Sequence, residues 1–400
     1  MDELNTPAAA WLTFSLAFPN ATKLCKLLHE VAPSPTCLGQ LIQRHLEGQI
    51  TGLQRTLSQE VSDEDFSKLH SPHTQEQVDR ALAWEASSPD NHIITLEDEA
   101  YPLLLQRTDY APPLLYAQGS LSALSHPLLA VVGSRKASSH ALSHTRQCCR
   151  ELADLGIGIV SGLALGIDAS AHEGALDCSG VTIAVAATEP DRVYPKRHKE
   201  LAARIIGSGG LILTEHHIGS ITRPWFFPQR NRIISGLSLG VLVAEAALPS
   251  GTLTTANHAM NQGREVMAVP GSIHNLQAKG CHALIKQGAA LVESTQDILD
   301  TLAQPLERAL AELKTRPQPT ADSQMELMPH SYSALPVTLD ATDKWLLMSL
   351  SSHPATVDDL MTLAKDKAQE ITISALSTAL GRLELKGLIS VEPGGRYARC

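Results

Sequence analysis

Short apolar strands alternate with helices through the middle of this chain, and this alternation is the feature that most constrains its fold. The predicted strands lie at 128–132, 157–161, 181–187, 211–214, 240–245, 265–269 and 290–292. The predicted helices lie at 139–155, 169–178, 198–206, 252–262 and 280–287. Apolar strands separated by helices are typical of a parallel sheet covered on both faces. We therefore predict an α/β domain whose ligand lies at the carboxyl ends of the strands.

One of these strands leads into a glycine-containing turn, within the sequence IGIVSGLALGIDASAH at 157–172. The strand ends at Ser161 and Gly162, Gly166 follows, and a helix begins at Asp168, which we expect to cap it. Amide groups at such a turn suit a phosphate, and the helix N-terminus adds partial positive charge. Close packing in any α/β protein requires the same glycines, so both explanations remain open.

Two further turns place possible phosphate ligands at strand ends. A guanidinium group two residues after a strand-end glycine matches phosphate oxygens, although an ordinary surface arginine shows the same pattern. Amide and hydroxyl groups at a helix start bind an anion or only cap the helix. The residues are Gly133, Ser134 and Arg135 in one turn and Ser250, Gly251 and Thr252 in the other.

The net charge of −10 is distributed unevenly along the chain. Residues 1–105 contain 15 Asp and Glu against 6 Lys and Arg, whereas residues 192–232 contain 8 Lys and Arg against 2 Glu. The second segment therefore forms a candidate basic patch that includes Lys196 and Arg197. A solvated surface without a partner is the alternative.

Three aromatic residues stand together in the sequence WFFPQRNR at 225–232, although aromatic residues make up only 4% of the chain. Bases stack on aromatic rings while arginines hold the backbone, a pattern typical of single-strand recognition. We expect Phe227 to be exposed at a basic turn, with Trp225 or Phe226 packed beneath it. The remaining candidate ligands in this segment are Arg230, Asn231 and Arg232.

The length of 400 residues predicts two or three domains. Residues 1–90 are predicted to form a small helical domain, and residues 91–304 form the α/β domain. The helices expected in the first domain lie at 8–18, 21–31, 37–46 and 74–86, and strands at 92–95 and 114–117 follow.

Residues 305–338 contain five prolines and are predicted to be a linker. Residues 339–400 resemble a winged helix, with three helices and a hairpin. The helices are predicted at 342–351, 357–364 and 373–386, and the hairpin strands at 388–391 and 396–399. The third helix has only Arg382 and Lys386 as bases, so we favour protein contact over duplex reading.

Several classes of protein fit the sequence poorly. The acidic start MDELNTPAAA predicts no secretory leader, and the apolar runs are too short for a membrane span, so we expect a cytoplasmic protein. The 7 cysteines include no CxxC motif and are expected to be reduced. His140 and His144 stand four residues apart, but Ala141 replaces the glutamate of HExxH, so we expect no metal.

Eight motifs together resemble the DNA-processing protein A family (DprA, also called Smf), over about half of the chain. They are VVGSR, SGLALGID, VYPKRH, FPQRNRIISGL, VAEA, SGTLTTA, GREVMAVPG and LIKQGA. The resemblance implies an extended Rossmann-like parallel sheet domain that binds single-stranded DNA without a cofactor. It also implies self-association as a homodimer, protection of incoming DNA, and loading of the RecA recombinase in natural transformation.

The sequence departs from the family pattern at two places. The segment 187–190 replaces a glycine-containing turn and adds an acid, and Cys281 and His282 stand where many members have an asparagine. We also considered two other classes of function. The turn at 249–252 resembles that of nucleoside 5′-monophosphate phosphoribohydrolases, but Thr255 replaces their carboxylate, so we expect no catalytic residue. A pure RecA scaffold would not require the basic and aromatic segment.

Overall fold

The computed structural model describes residues 7–18, 68–69 and 71–315 of one compact unit, 1–317. It also describes residues 360, 380, 389–392 and 396–399 of a second unit, 318–400. Within these ranges, no helix is both long enough and apolar enough to cross a membrane.

Nine strands of the first unit form a single sheet. They are β1 (Asn91–Thr95), β2 (Leu114–Gly119), β3 (Leu128–Gly133), β4 (Gly158–Ser161), β5 (Thr182–Val185), β6 (Leu211–Thr214), β7 (Gly240–Glu245), β8 (Glu265–Ala268) and β9 (Ala290–Leu291). Their order is β1-β2-β6-β5-β4-β3-β7-β8-β9. The seven strands from β6 to β9 pair in parallel, and β1 and β2 extend the sheet as antiparallel strands. The predicted Rossmann-like α/β fold is confirmed.

The helices of the first unit follow the predicted alternation. They are α1 (Pro7–Ala17), α2 (Pro72–Ala86), α3 (Leu103–Gln106), α4 (Ser139–Asp154), α5 (Ile167–Asp177), α6 (Lys199–Gly207), α7 (Phe226–Gly236), α8 (Thr252–Asn261), α9 (Lys279–Lys286) and α10 (Thr295–Thr315). Short 3₁₀ turns occur at Leu121–Ser125, Lys196–His198 and Leu276–Ala278.

The central strand β3 shows why apolar residues fill both faces of the sheet. Leu128, Ala130 and Val132 belong to one buried cluster, whereas Leu129 and Val131 belong to another. Successive side chains of a strand point to opposite faces, so β3 contributes to a core on each side. Strand β4 lies on one side of β3 and β7 on the other, so the strand order reverses between β3 and β7. Ligands of such sheets bind at this switch point, outside the carboxyl ends of the two strands.

The N-terminal helices share a core with the sheet. Trp11 and Phe14 of α1 are fully buried in the cluster that also contains Tyr116 of β2. The predicted helix at 74–86 corresponds to α2, whose first turn is capped by the Ser71 hydroxyl. The helices predicted at 21–31 and 37–46 lie outside the described residues.

Two predictions near the ends of elements need correction. The linker predicted from residue 305 begins inside α10, which contains Pro305 and continues to Thr315. A proline within a helix removes one hydrogen bond and need not end the helix. The basic turn predicted at 225–232 is helical from Phe226 onward, as the first half of α7.

The second unit contains the predicted C-terminal hairpin. Strands β10 (Ile389–Glu392) and β11 (Arg396–Arg399) pair antiparallel. The three helices predicted before this hairpin fall outside the described residues, so the winged helix stays a prediction.

Candidate nucleic-acid interface

A pocket of about 470 Å³ opens at the carboxyl ends of β3 and β7, and we call it the strand-end pocket. It combines the two turns predicted to hold phosphate with the start of α7. Nine of the predicted site residues line it: Gly133, Ser134, Arg135, Phe227, Arg230, Asn231, Ser250, Gly251 and Thr252. The pocket therefore lies at the switch point of the sheet, as expected for a parallel α/β domain.

Glu245, the last residue of β7, holds the pocket's loops together. Its backbone carbonyl accepts a hydrogen bond from the Ser134 amide at 2.7 Å. Its buried carboxylate accepts hydrogen bonds from the amide and hydroxyl of Ser138 at 2.8 and 3.1 Å, and from Asn275 Nδ2 at 2.9 Å. One buried carboxylate thus joins three segments that are distant in sequence.

Three hydroxyl groups that line the pocket form hydrogen bonds within its own loops. Thr252 Oγ1 donates to the Gly133 carbonyl at 3.1 Å, and Ser250 Oγ accepts from the Thr252 amide at 3.2 Å. Ser134 Oγ donates to Gln277 at 3.0 Å. The helix α8 begins at Thr252, and its N-cap residue, Gly251, makes no side-chain capping hydrogen bond. The amides of Thr252, Leu253 and Thr254 already bind Ser250 or Gly251, so this helix start offers an anion fewer amide donors than the sequence suggests.

The glycine turn at 161–166 has a packing role rather than a ligand-binding one. Ser161 is fully buried and donates to the Val131 carbonyl, so this side chain lies beneath the site. Gly162 uses its amide on Asp168, and a Cβ at Gly166, where φ is +78°, would lie 2.2 Å from the Ser134 carbonyl oxygen. These glycines are needed for close approach, the alternative that the sequence left open.

Asp168 does not cap the helix that it begins. Its Oδ2 accepts hydrogen bonds from the amides of Gly162 and Ala164, at 3.1 and 3.3 Å, and so fixes the glycine turn. Burial raises the pKa of Asp168, opposed by the charge of Arg230 and by these amides. The predicted capping role was therefore wrong, because the carboxylate reaches back over the turn.

The two arginines of α7 that were predicted to contact DNA are buried. Arg230 Nη1 donates to the carbonyl oxygens of Gly162 and Val185, and burial lowers its pKa to about 10. Arg232 forms an ion pair with Glu215 and does not line the pocket. The placement of Arg232 contradicts its assignment as a DNA ligand, since its donors already bind protein. Arg230 reaches the pocket only as part of its floor.

Phe227 stands at the mouth of the strand-end pocket between an arginine and a second ring. The Arg135 guanidinium lies 5.7 Å from the centre of the Phe227 ring, within the range of a cation–π contact. The Tyr194 ring meets Phe227 edge to face at 5.2 Å. Phe227 is half-buried, so part of this ring faces solvent beside an exposed arginine.

The sequence predicted that either Trp225 or Phe226 packs beneath Phe227, and the structure excludes Trp225. Trp225 is 59% exposed rather than packed beneath Phe227. Phe226 is half-buried and stacks on His216, with the ring centres 4.0 Å apart. The helical turn that begins α7 separates the three neighbouring rings and directs them to different surroundings.

A second pocket of about 540 Å³ adjoins the first, and we call it the side pocket. Arg135, Phe227 and Pro228 line both pockets, and Arg192 and Arg223 add positive charge to the second. Lys196 and Arg197 are exposed in the 3₁₀ turn that follows Tyr194 and Pro195, and they line neither pocket.

The two departures from the family pattern lie outside the strand-end pocket. Glu189 Oε1 lies 3.6 Å from Arg192 Nη1, and the Glu189 carboxylate also accepts a hydrogen bond from the Gly219 amide. Cys281 is fully buried, and burial raises its pKa to about 11, while His282 contacts Gly271. The acid at Glu189 therefore offsets part of the charge of one side-pocket arginine.

Sequence reasoning did not assign several residues that build this interface. Tyr194, Lys136 and Gln277 line the pockets, and Glu245 organises them. An acidic residue directly after five apolar strand residues was a usable signal for Glu245, because a carboxylate in such a place requires partners. Tyr194 lies in the VYPKRH motif, which gave it no separate role, and Lys136 and Gln277 carry no local pattern.

Comparisons with known proteins give a consistent result. A family model described as DNA recombination-mediator protein A matches residues 92–303. Protein Smf of Escherichia coli K12 is 40% identical over 323 residues, which cover 80% of each chain. DNA processing protein DprA of Streptococcus pneumoniae R6 is 46% identical over 202 residues, 50% of this chain and 71% of that protein.

A solved structure supports the same assignment. The X-ray structure of DNA processing protein A from Streptococcus pneumoniae superposes with a TM-score of 0.56 and 34% identity, and it covers 74% of this chain and 97% of that one. The segment matched by the family model contains every residue that lines the strand-end pocket. The chain therefore belongs to the DNA recombination-mediator protein A family, the DprA/Smf family that its motifs resemble.

Proposed function

We propose that this protein binds single-stranded DNA, protects incoming DNA and loads the RecA recombinase onto it during natural transformation. In this proposal it acts in the cytoplasm as a homodimer and uses no cofactor. Its relatives are named DNA processing proteins, and its family is described as a recombination mediator. The observation that carries the proposal is the contact of Arg135 with Phe227 at the junction of two basic pockets.

The strand-end pocket has the chemistry that a phosphate requires. Arg135 is exposed at its mouth, and Gly251 and Thr252 bring the start of α8 into its lining. Arginine and helix N-termini both favour phosphate oxygens. Such contacts fix a nucleic acid by its backbone without reading its sequence.

The aromatic residues supply the preference for single strands. Phe227 and Tyr194 present rings beside the arginines of the side pocket. A base can stack on such a ring only when it is unpaired, so a ring next to a phosphate site favours single strands over duplexes.

The hydrogen bonds of the carboxylates near the pocket favour a binding protein over an enzyme. Asp168 is occupied by amides of the glycine turn, and Glu245 by Ser138 and Asn275. Thr255 is buried in α8 where the phosphoribohydrolase signature has its carboxylate. General acid or base catalysis needs a group within reach of the substrate that can give up or accept a proton. Both carboxylates already accept hydrogen bonds from the protein.

The test is a comparison of oligothymidylate with duplex DNA of the same length, by fluorescence anisotropy across a salt series. We expect tighter binding of the single strand at every salt concentration. Equal or tighter binding of the duplex would contradict the proposal. Light scattering would test the dimer, and RecA filament growth on single strands with and without this protein would test loading.

A further inference from the structure

We propose that Trp225, which lines neither pocket, and Arg223 at the edge of the side pocket form a second nucleobase-binding surface, which extends the single-strand site along the DNA. The inference rests on the proposed function and enlarges the surface that would contact the single strand. It concerns the one exposed ring of the 225–227 cluster, which neither pocket includes among its lining residues.

Trp225 is large, apolar and exposed at a position where the backbone is well held. It is the N-cap residue of α7, and its carbonyl accepts a hydrogen bond from the Gln229 amide at 3.2 Å. The Phe226 amide donates to the Arg223 carbonyl at 3.1 Å, which closes the turn before the helix. An indole that is 59% exposed on so fixed a backbone can bind a partner with little loss of conformational freedom.

The indole of Trp225 contacts two neighbouring side chains. The Arg223 guanidinium lies 5.7 Å from the ring centre, and the Phe226 ring meets the indole edge to face at 6.1 Å. Phe226 in turn stacks on His216. The indole is therefore held by Arg223 and Phe226, and more than half of Trp225 still stays exposed.

Continuity with the side pocket favours a nucleobase as the occupant. Arg223 and Pro224 on one side of Trp225, and Phe227 and Pro228 on the other, all line that pocket. A strand whose phosphate lies near Arg135 and whose base contacts Phe227 would meet Trp225 on leaving the side pocket between Arg223 and Phe227. An aromatic ring with an adjacent arginine is what base stacking and backbone neutralisation require there.

The test measures affinity for a series of oligothymidylates from very short to long, by anisotropy at fixed salt. For Trp225→Ala we expect little change with the shortest oligomers that still bind. Once the strand is long enough to reach Trp225, we expect a loss of about fivefold or more, the effect of one lost base stack. Trp225→Phe should retain most of the affinity, whereas Trp225→Leu, which keeps apolar area without a π face, should behave as Trp225→Ala.

Tyr110→Ala is the matched control, because Tyr110 is 58% exposed and lines neither pocket. We expect wild-type affinity from it at all lengths. The chain has 4 tryptophans, so the difference in indole emission between the wild type and Trp225→Phe gives the readout of contact at Trp225. Quenching by long oligothymidylate should occur in the wild type and be largely lost in Trp225→Phe.

The possible failures are distinguishable. If the wild type binds no single strand, the proposed function and this inference both fail. If the wild type binds and Trp225→Ala matches it at every length, only this inference fails, and the exposed indole is then better explained as a protein-docking surface. An equal loss at all lengths would also overturn it, because the ring would then belong to the pocket.

Discussion

The guanidinium group of Arg232 donates two hydrogen bonds to the carboxylate of Glu215, with N···O distances of 2.8 and 2.5 Å. Both side chains are only 9% exposed. Arg232 belongs to the most basic segment of the chain, yet its charge is neutralised within the protein. We therefore expect this arginine to contribute to stability and not to DNA affinity.

Replacing Arg232 with alanine leaves the Glu215 carboxylate buried without its partner. Breaking a buried ion pair from one side costs about 3–5 kcal/mol. We expect a loss of this size in the free energy of unfolding, measured by urea denaturation. Arg197→Ala, at an exposed site in the same basic segment, is the control and should change stability by less than about 0.5 kcal/mol. Equal stability of the two variants would show that the ion pair is unimportant.

Arg135 is the exposed arginine at the mouth of the strand-end pocket. We expect Arg135→Ala to weaken binding of all single-strand sequences about equally, because a phosphate contact carries no base information. The slope of log affinity against log salt should become shallower by roughly 0.7, the single-strand value for one phosphate. A slope that does not change would mean that Arg135 contacts no phosphate.

The ring of Phe227 should decide strand preference. Phe227→Ala removes the surface that Arg135 and Tyr194 flank, and we expect a loss of about 1–3 kcal/mol in single-strand affinity. Duplex affinity and the salt slope should remain nearly constant, since neither depends on stacking. A parallel fall of both affinities would instead identify the ring as structural, and Phe227→Tyr should then also be impaired.

A half-buried histidine couples stability to pH. His217 accepts or donates hydrogen bonds with Tyr116 at 3.0 Å and Ser15 at 2.9 Å, and burial lowers its pKa to about 4. The unfolded chain takes up a proton near the ordinary value of 6.5, whereas the folded protein does so only near 4. Stability contributed by the neutral form is therefore present above pH 6.5 and is lost as the pH falls.

As the pH falls from 6.5 to about 4, protonation of this residue should lower the free energy of unfolding by about 1.4 kcal/mol per pH unit. Burial also lowers the pKa of His172, to about 3, so that His172 adds to the same slope. His217→Gln keeps a hydrogen-bonding side chain but cannot titrate. Urea midpoints at a series of pH values should give a shallower profile for this variant, and identical profiles would contradict the assignment.

We expect no enzymatic release of ribose 5-phosphate from nucleoside 5′-monophosphates. Thr255 is buried, and the nearby carboxylates of Asp168 and Glu245 are occupied by protein donors. A chromatographic assay of long incubations would measure any product. Turnover that disappears in Thr255→Ala would establish an active site and overturn this expectation.

The sheet could be predicted from the sequence because its information is local. Each strand is an apolar run bounded by turn residues, and the glycines Gly133 and Gly166 mark close approaches of the backbone. One error of extent was at Pro305, where a proline suggested a linker but α10 continues to Thr315. A single proline is a weak boundary when the surrounding residues favour a helix.

The site was predicted less well because its details depend on contacts between distant residues. No local pattern distinguishes the exposed Arg135 from Arg232, since the Glu215 partner of Arg232 is 17 residues away. The burial of Ser161 and the exposure of Trp225 likewise depend on neighbours that only the fold supplies. The motifs predicted nine of the residues that line the strand-end pocket, but they could not separate exposed side chains from the buried ones that support them.

The hydrogen bonds of Glu245 also determine when the site can first exist during synthesis of the chain. Ser138 precedes Glu245 by 107 residues, and Asn275 follows it by 30. A ribosome-bound fragment that has completed β3 and its glycine turn still lacks the carboxylate that orders the Ser134 loop. The strand-end pocket is therefore complete only after Gln277, which also lines it, has emerged, and we expect a nascent chain to lack this site until its first eight strands have been made.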